Sequence, residues 1–376
     1  MISKGKSSFG FDCVIARPDP GPPGNPETFE RGAIMATRIL VPWAFPESGR
    51  EVLKKSKLRV IYLHGPAGEL PTLEELIQAV KEAEVVLPRG TQPVPREVLA
   101  ANPALRGVAN HGVGYDSIDV EAATELGIPV TNTPEILTET TADLTWGLLM
   151  ATARKIPQTH NFTVSGRFTG PAGHPFMGMD IGPGGSNRPK VLGIIGFGRI
   201  GRAVMKRSKG FRMKAIAYDP PLREMIEKTR GVEYRELHEL LKESDFVTIH
   251  CPLTKETHHL IGRNELELLK PTAVLINASR GPVVDETALV SVLKEKRIFG
   301  AGLDVYEKEP QLTPGLAELE NVVLLPHIGS LTQDTRNQMA IVAAKNAVAM
   351  AKKKKPRNLV NPEVLSRQEY LQKVSG

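Results

Sequence analysis

Two groups of residues in this 376-residue chain have the types and spacing of chemistry. The first is Gly196-Phe-Gly198-Arg199-Ile200-Gly201, three glycines at the G-x-G-x-x-G interval directly after the apolar run 190–195. In such a turn the first glycine permits a tight bend, the second lets a pyrophosphate approach the backbone, and the third lets helix and strand pack closely. Phosphates then lie at a helix N-terminus, where free amides and the dipole favour anions. Asp219 stands 18 residues beyond Gly201, at the end of the next strand-like run. A carboxylate there accepts hydrogen bonds from ribose hydroxyls and repels a 2′-phosphate. The pattern implies NAD(H) in preference to NADP(H), and Arg223 is the one neighbour that would soften it.

The second group is dispersed. The run 272–279 ends in Ser279-Arg280-Gly281, the run 300–305 passes into Asp304-Val-Tyr-Glu307-Lys-Glu309-Pro310, and the run 321–327 ends in Pro326-His327-Ile-Gly-Ser330. A guanidinium holds a carboxylate by two parallel hydrogen bonds and polarises the adjacent carbonyl. An imidazole gives a proton to a carbonyl oxygen, and takes it back in the reverse direction, because its pKa lies near neutrality. A carboxylate on the other ring nitrogen, from one of Asp304, Glu307 and Glu309, orients the ring and favours its protonated form. Together the three types suit hydride transfer to a 2-keto acid. Singly, each is as well explained by a structural or surface role, and His250, His258 and His259 are read that way.

A parallel sheet is what would position these residues. Apolar runs alternate with helical segments in two series: 38–43, 59–65, 84–90, 105–112 and 128–133, then 190–196, 214–219, 246–253, 272–279, 300–305 and 321–327. Such alternation with short connections implies α/β lobes of parallel strands. The continuous Val/Ile/Leu runs of the second series suit a sheet covered by helices on both faces. Parallel strands share a direction, so the glycine turn, Arg280, the acids and His327 fall on one sheet edge, the edge where ligands bind. A helix from Thr138 carries the chain from the first series to the second, and a last helix over 332–352 leads back.

Composition removes several function classes. No stretch of 18 uninterrupted apolar residues occurs and the N-terminus has no apolar signal core, so neither a membrane partner nor export is expected, and the location implied is cytoplasmic. Cys13 and Cys251 provide neither a disulfide framework nor a metal site. The net charge is +6, yet the densest basic run, Lys352 to Lys355, closes a helix where lysines suit the dipole. No aromatic residues interleave with it, so nucleic acid is not an expected partner. Residues 1–35 are rich in Gly, Pro and Ser without periodicity, the composition of a disordered extension.

Five motifs in order resemble the D-isomer-specific 2-hydroxyacid dehydrogenase family over about 38–345: Gly196 to Gly201 with Asp219, "HCPLTKETHHLI", "LINASRGPVVDETAL", "GLDVYEKEP" and "LLPHIGS". The resemblance implies two Rossmann-like/flavodoxin-like parallel-sheet lobes with the active site in the interdomain cleft. The substrate lobe would comprise 36–137 plus 331–376 and the NAD-binding lobe 138–330. It assigns Arg280 to the substrate, Glu309 to orienting the histidine, and His327 to acid/base work. Asp304 would lie near the nicotinamide carboxamide, and Arg199, Ile200, Cys251 and Pro252 would join Gly196, Gly198, Gly201 and Asp219 at the cofactor. The amides of Val113 and Gly114, in Asn110-His-Gly-Val-Gly114, would bind the substrate carboxylate. Homodimers are usual in the family.

Within it, "TETTADLTWGLLMATARKI" is most similar to glyoxylate and hydroxypyruvate reductases. NADH-sensing corepressors and phosphoglycerate or phosphite dehydrogenases are the alternatives. The dehydrogenases would need a further cation in the cleft, for which Arg89 and Lys155 are candidates. Segment 170–190 is longer and richer in glycine than the family's usual connection, and is expected to be a lid or a dimer arm. His111 is unusual for the substrate loop and is a candidate donor to a second polar group.

Overall fold

The computed structural model describes residues 37–64, 69–170 and 176–375, so the expected N-terminal extension lies outside the described residues. Strands β1 (Arg38–Val41), β2 (Arg59–Tyr62), β3 (Val85–Val86), β4 (Gly107–Ala109) and β5 (Val130–Thr131) form one sheet in the order β2-β1-β3-β4-β5. Strands β6 (Val191–Ile195), β7 (Lys214–Tyr218), β8 (Glu233–Tyr234), β9 (Phe246–Ile249), β10 (Val274–Asn277), β11 (Gly300–Leu303) and β12 (Val322–Leu324) form a second, in the order β12-β11-β10-β9-β6-β7-β8. All these ladders are parallel. The first order is flavodoxin-like and the second is the Rossmann order with one strand added.

Alternate residues of each strand feed separate cores, as a period of two requires. In the larger sheet Ile195, Val247, Leu275 and Leu303 face one core, whereas Ile194, Phe246, Val274 and Ile276 face the other. The smaller sheet divides in the same way, with Leu40, Val86, Val108 and Val130 opposite Ile39, Val41, Val85 and Ala109. Register then levels the site: Asn277 lies opposite both Ile249 and Leu303, so the loops that follow β9, β10 and β11 leave the sheet at one height.

Two helices connect the sheets. Thr138–Ala153 packs on β10, β11 and β12, and Gln333–Ala351 packs on β1, β3 and β4. The second helix presents Ala340, Ala343, Ala344, Ala347 and Ala351, a stripe at helical spacing that lets it lie close to the strands. Two features escaped the sequence reading. β8 is only two residues long, and a separate helix, Ile156–Val164, follows Lys155, whose φ of 50° breaks the helix before it.

Within segment 170–190, Met179 and Ile181 lie away from the carboxyl ends of the strands. The Met179 amide donates to the Ala153 carbonyl, and Met179 and Ile181 pack beside the core that holds Trp146. The opposite end of that helix touches the site, because the Thr141 hydroxyl donates to the Gly329 carbonyl (3.2 Å). Twelve residues of helix separate these anchors by about 18 Å, which places Met179 far from a lid's position. Lys352 to Lys355 are exposed past the helix end, as a solvated run should be.

Candidate active site

The glycine turn has the shape its spacing implies. Gly196 has φ +89°, and a Cβ there would lie 2.3 Å from the Cys251 amide nitrogen. A Cβ on Gly201 would lie 2.2 Å from the Gly196 carbonyl oxygen. At Gly198 a Cβ would meet nothing within 4 Å. The outer two glycines are thus required by the protein's own packing, and the middle one faces space left for a ligand. Gly198 begins the helix Arg199–Ser208 without a side-chain cap, leaving first-turn amides for an anion. Asp219 Oδ2 accepts from the Phe197 amide (2.8 Å), which ties the acid to the turn. Arg199 pairs with Glu135 (3.2 Å), and Ile200 packs partly into the core beneath. Cys251 is buried, and burial pushes its thiol up to about 12, so it contributes backbone and shape rather than a nucleophile. Pro252 follows it, and its carbonyl accepts from the Thr257 hydroxyl (2.6 Å). Together the open cradle, the uncapped helix and the acid fit a dinucleotide.

Arg280, Glu309 and His327 leave the ends of β10, β11 and β12. His327 Nδ1 lies 2.8 Å from Glu309 Oε2, while Glu309 Oε1 accepts from the Tyr306 amide (3.1 Å). Burial raises the Glu309 carboxyl, but bonding to His327, the Tyr306 amide and the charge of Arg280 outweigh it and hold the group below the usual carboxylate range. His327 has φ +55°, a left-handed conformation that costs a non-glycine residue about 1 kcal/mol or more. Asp304 holds it there: Oδ1 accepts from the Ile328 amide and Oδ2 from the Gly329 amide, both at 2.8 Å. Burial raises the Asp304 pKa, and those two amides oppose the shift. Both of its oxygens are thus directed to the histidine turn. Gly281 lets the Arg280 loop close on the acid loop, since a Cβ there would stand 1.9 Å from the Tyr306 carbonyl carbon.

Arg280 also crosses to the smaller sheet. Its Nε donates to Asp116 Oδ1 (2.8 Å) and its Nη1 to the Ser279 carbonyl (2.7 Å). Its Nη2 fills the place of a side chain at Gly114, where a Cβ would lie 1.4 Å away. Asn110 Nδ2 donates to the carbonyls of Gly112 (3.4 Å) and Gly114 (2.7 Å), and Asn132 Nδ2 donates to that of Val113 (2.9 Å). With the carbonyls turned inward, the amides of Val113 and Gly114 have no acceptor among the described residues. Two free amides and a guanidinium make a receptor for one carboxylate.

Asp116 and Glu286 were not singled out in the sequence. Asp116, which fixes Arg280, carries no local signal. Glu286 is buried, with its pKa raised by that burial; it accepts from the Glu307 amide (2.8 Å) and the Thr313 hydroxyl (2.6 Å), bracing the acid loop. Glu307 pairs with His259. His111 does not present its ring to the cleft as a solvated donor: it is 1% exposed, against Trp43 and Phe45 at 4.8 and 5.9 Å between ring centroids.

The comparisons agree with this geometry. Residues 146–329 match the D-isomer specific 2-hydroxyacid dehydrogenase, NAD binding domain. A glyoxylate reductase of Thermococcus litoralis is 46% identical over 334 residues, 88% of this chain and 99% of that one. One from Aeropyrum pernix is 47% identical over 301 residues, 78% of this chain and 88% of its own. Among solved structures, a Thermus thermophilus protein superposes with a TM-score of 0.77 at 38% identity, covering 86% of this chain and all of that one. An NADPH-dependent glyoxylate/hydroxypyruvate reductase from Sinorhizobium meliloti, in complex with NADP and malonate, does so at 0.75 and 31%, covering 89% and 98%. The chain belongs to the D-isomer-specific 2-hydroxyacid dehydrogenases, oxidoreductases that use a nicotinamide dinucleotide.

Proposed function

We propose that the chain is an NADH-dependent reductase of small 2-keto acids, glyoxylate and hydroxypyruvate, giving the D-isomer where a stereocentre forms. The observation that carries this is the His327–Glu309 pair at the strand ends, with Arg280 and the free amides of Val113 and Gly114 beside it. In this reading those amides and the Nη edge of Arg280 hold the substrate carboxylate. His327 Nε2 gives its proton to the keto oxygen, and Glu309 on Nδ1 keeps the ring aligned and favours its charged form. Bound nicotinamide supplies the hydride. Arg280 draws electron density from the carbonyl, and Asp116 keeps the guanidinium plane fixed while it does so.

The names of the relatives support the substrate class, and Asp219 supports NADH over NADPH, although the Sinorhizobium protein is described as NADPH-dependent. The test follows loss of NADH or NADPH absorbance with glyoxylate, hydroxypyruvate, pyruvate and phenylpyruvate. Preference for the first two acids with NADH supports the reading. NADH binding without turnover of any acid overturns it.

The division into 36–137 with 331–376 and 138–330 is part of the same reading, supported by the sheets on which Thr138–Ala153 and Gln333–Ala351 pack. So is a homodimer. Helix Ile156–Val164 buries none of its residues, and Ile156 (52% exposed), Val164 (67%), Phe168 (57%) and Met177 (63%) leave an apolar surface suited to a second copy. Light scattering on the purified chain tests it, and a monomer at micromolar concentration refutes it. No helix among the described residues is long and apolar enough to cross a membrane. Cytoplasmic operation is supported by the sparse cysteines.

A further inference from the structure

We propose that His259 is a positioning residue for the reduction: anchored by its backbone on the Arg280 turn, it holds Glu307 with its ring and so keeps Glu309 aligned on His327. The inference rests on the reductase reading above and adds one residue to its machinery.

From the sequence alone His259 reads as a structural residue, and its place in the fold shows more. It lies in the loop that follows β9, and three backbone bonds fasten that loop to the turn after Arg280. The His259 amide donates to the Pro282 carbonyl (2.8 Å), the Ile261 amide to the Val283 carbonyl (3.1 Å) and the Asp285 amide to the Ile261 carbonyl (3.0 Å). The His259 ring reaches the loop after β11, where its Nε2 meets Glu307 Oε1. One residue thus grips the Arg280 turn with its main chain and the acid loop with its side chain. The His258 ring stacks on it, 4.1 Å between centroids and 27° between planes, which sets the plane of the imidazole.

The path from Glu307 to the acid/base pair is short. Glu307 follows Tyr306, whose amide donates to Glu309 Oε1 (3.1 Å), and Glu309 Oε2 meets His327 Nδ1 (2.8 Å). The Glu307 amide donates to Glu286 Oε1 (2.8 Å), and a Cβ on Gly281 would lie 2.4 Å from its nitrogen, so Glu307 is where the acid loop lies against the Arg280 turn.

Two features set this contact apart from a surface ion pair. His259 has φ +49°, a left-handed conformation disfavoured for a residue with a Cβ, which persists where surrounding contacts hold it. The Glu307 side chain is 17% exposed, and its charge and that of Glu309 both act on the buried Glu286. A carboxylate in such company needs a donor of its own. Left without the His259 ring, Glu307 would compete for the Tyr306 amide and the His327 ring, the two donors on which Glu309 depends. Misplacement of a reacting group by about 1 Å costs up to about a hundredfold in rate.

The experiment measures kcat and KM for glyoxylate, with NADH Kd by fluorescence, in the wild type, His259→Leu and His259→Gln, and repeats both substitutions in a Glu309→Gln background. His259→Leu should lower kcat about tenfold, with KM and NADH Kd within about twofold of the wild type. His259→Gln, whose amide still donates to Glu307 from the place of Nε2, should keep kcat within about threefold. With Glu309 already replaced, His259→Leu should cost less than about twofold, because the alignment it protects is gone. A residue that only stabilised the fold would lower Tm without this dependence on Glu309. Equal kcat losses in the Leu and Gln variants, a loss confined to KM, or an undiminished loss in the Glu309→Gln background overturns the role and leaves the reductase reading standing. Glu307→Ala keeps the test decisive if His259→Leu does not fold: a fall in kcat of about fivefold or more supports the role, and a smaller one overturns it. If the wild type turns over no keto acid, the reductase reading falls, and the alignment is judged by NMR of the His327 imidazole Cε1–H. A resonance displaced in His259→Leu and restored in His259→Gln supports the link, and any other pattern overturns it.

Discussion

The three glycines of the turn separate a structural demand from a ligand's demand, and alanine at each position measures the difference. At Gly201 the new methyl would stand 2.2 Å from the Gly196 carbonyl oxygen, so backbone must move. Overpacking of this kind costs about 1–3 kcal/mol. For a cooperative unit of about 150–250 residues, that lowers Tm by roughly 2–12 °C. At Gly196 the same substitution adds a left-handed φ of +89° to a 2.3 Å approach to the Cys251 nitrogen, and should be the more damaging. At Gly198 the methyl meets nothing within 4 Å, and the φ of −65° is open to any residue. Its stability effect should stay within about 0.5 kcal/mol, or roughly 2 °C. That methyl would, however, occupy the path by which a pyrophosphate reaches the helix amides. Loss of even about 1.4 kcal/mol there raises the NADH Kd about tenfold. Thermal melts and NADH fluorescence titrations on the three variants give both readouts. If Gly198→Ala melts as low as Gly201→Ala, or binds NADH like the wild type, the assignment of the open glycine to the phosphates is wrong.

Other perturbations address the catalytic trio and its supports. His327→Gln should lower kcat by about 100- to 10,000-fold with NADH affinity unchanged; a variant that keeps most of its rate removes the acid/base role. Asp116→Ala should lower kcat/KM about fivefold, the equivalent of about 1 kcal/mol for a partly exposed pair. Most of that loss should fall on KM, with Asp116→Asn recovering part of it because its amide oxygen still accepts from Arg280 Nε; equal loss in both variants would deny the positioning role. Glu309 is depressed in the folded protein, so its stabilising contribution is present above the ordinary carboxylate range and is lost as pH falls through the folded value. The Tm gap between wild type and Glu309→Gln should therefore narrow in acid, and a constant gap contradicts this. His111 and His250 are both held at about 3, the first by burial and Arg336 and the second by burial, well below an unfolded value near 6.5. Stability from each is complete above about pH 6.5 and declines by about 1 kcal/mol per pH unit below it, so wild-type Tm should fall between about pH 7 and pH 5, and His111→Phe should flatten the slope.

What the sequence revealed and what it hid divide along a physical line. Gly196, Gly198 and Gly201 were legible because their demands are local, met within one turn and one helix end. Arg280 and His327 were legible because strand direction places strand ends on one edge, whatever the detailed packing. Asp116 was not: its partner Arg280 lies 164 positions away, beside the other sheet, and no local pattern marks an acid for a contact between sheets. The placement of Met179 and Ile181 was hidden for a similar reason. Glycine-rich composition reports conformational freedom, whereas position depended on Met179 and Ile181 finding a seat near Trp146. His111 looked like a donor because a loop histidine usually meets solvent, and the Trp43 and Phe45 that cover it come from the end of β1.

The acids at the end of β11 show why composition alone could not say which one mattered. Asp304 faces the amides of Ile328 and Gly329, Glu307 pairs with His259, and Glu309 meets His327. Each therefore anchors a different segment: Asp304 the turn after β12, Glu307 the loop after β9, and Glu309 the imidazole itself. Glu286 stands behind them, bonded to the Glu307 amide and the Thr313 hydroxyl and touching no reacting group. A cluster of negative charge at one strand end would ordinarily repel itself. Here it persists because each of the three acids meets a donor from a separate segment, so the repulsion is met by contacts that draw those segments together around the histidine. Exchanging one acid for another would consequently not preserve the site. Removing Asp304 releases the strained His327 backbone, removing Glu307 frees the loop that carries His259, and removing Glu309 gives up the Tyr306 amide and changes the state of the ring.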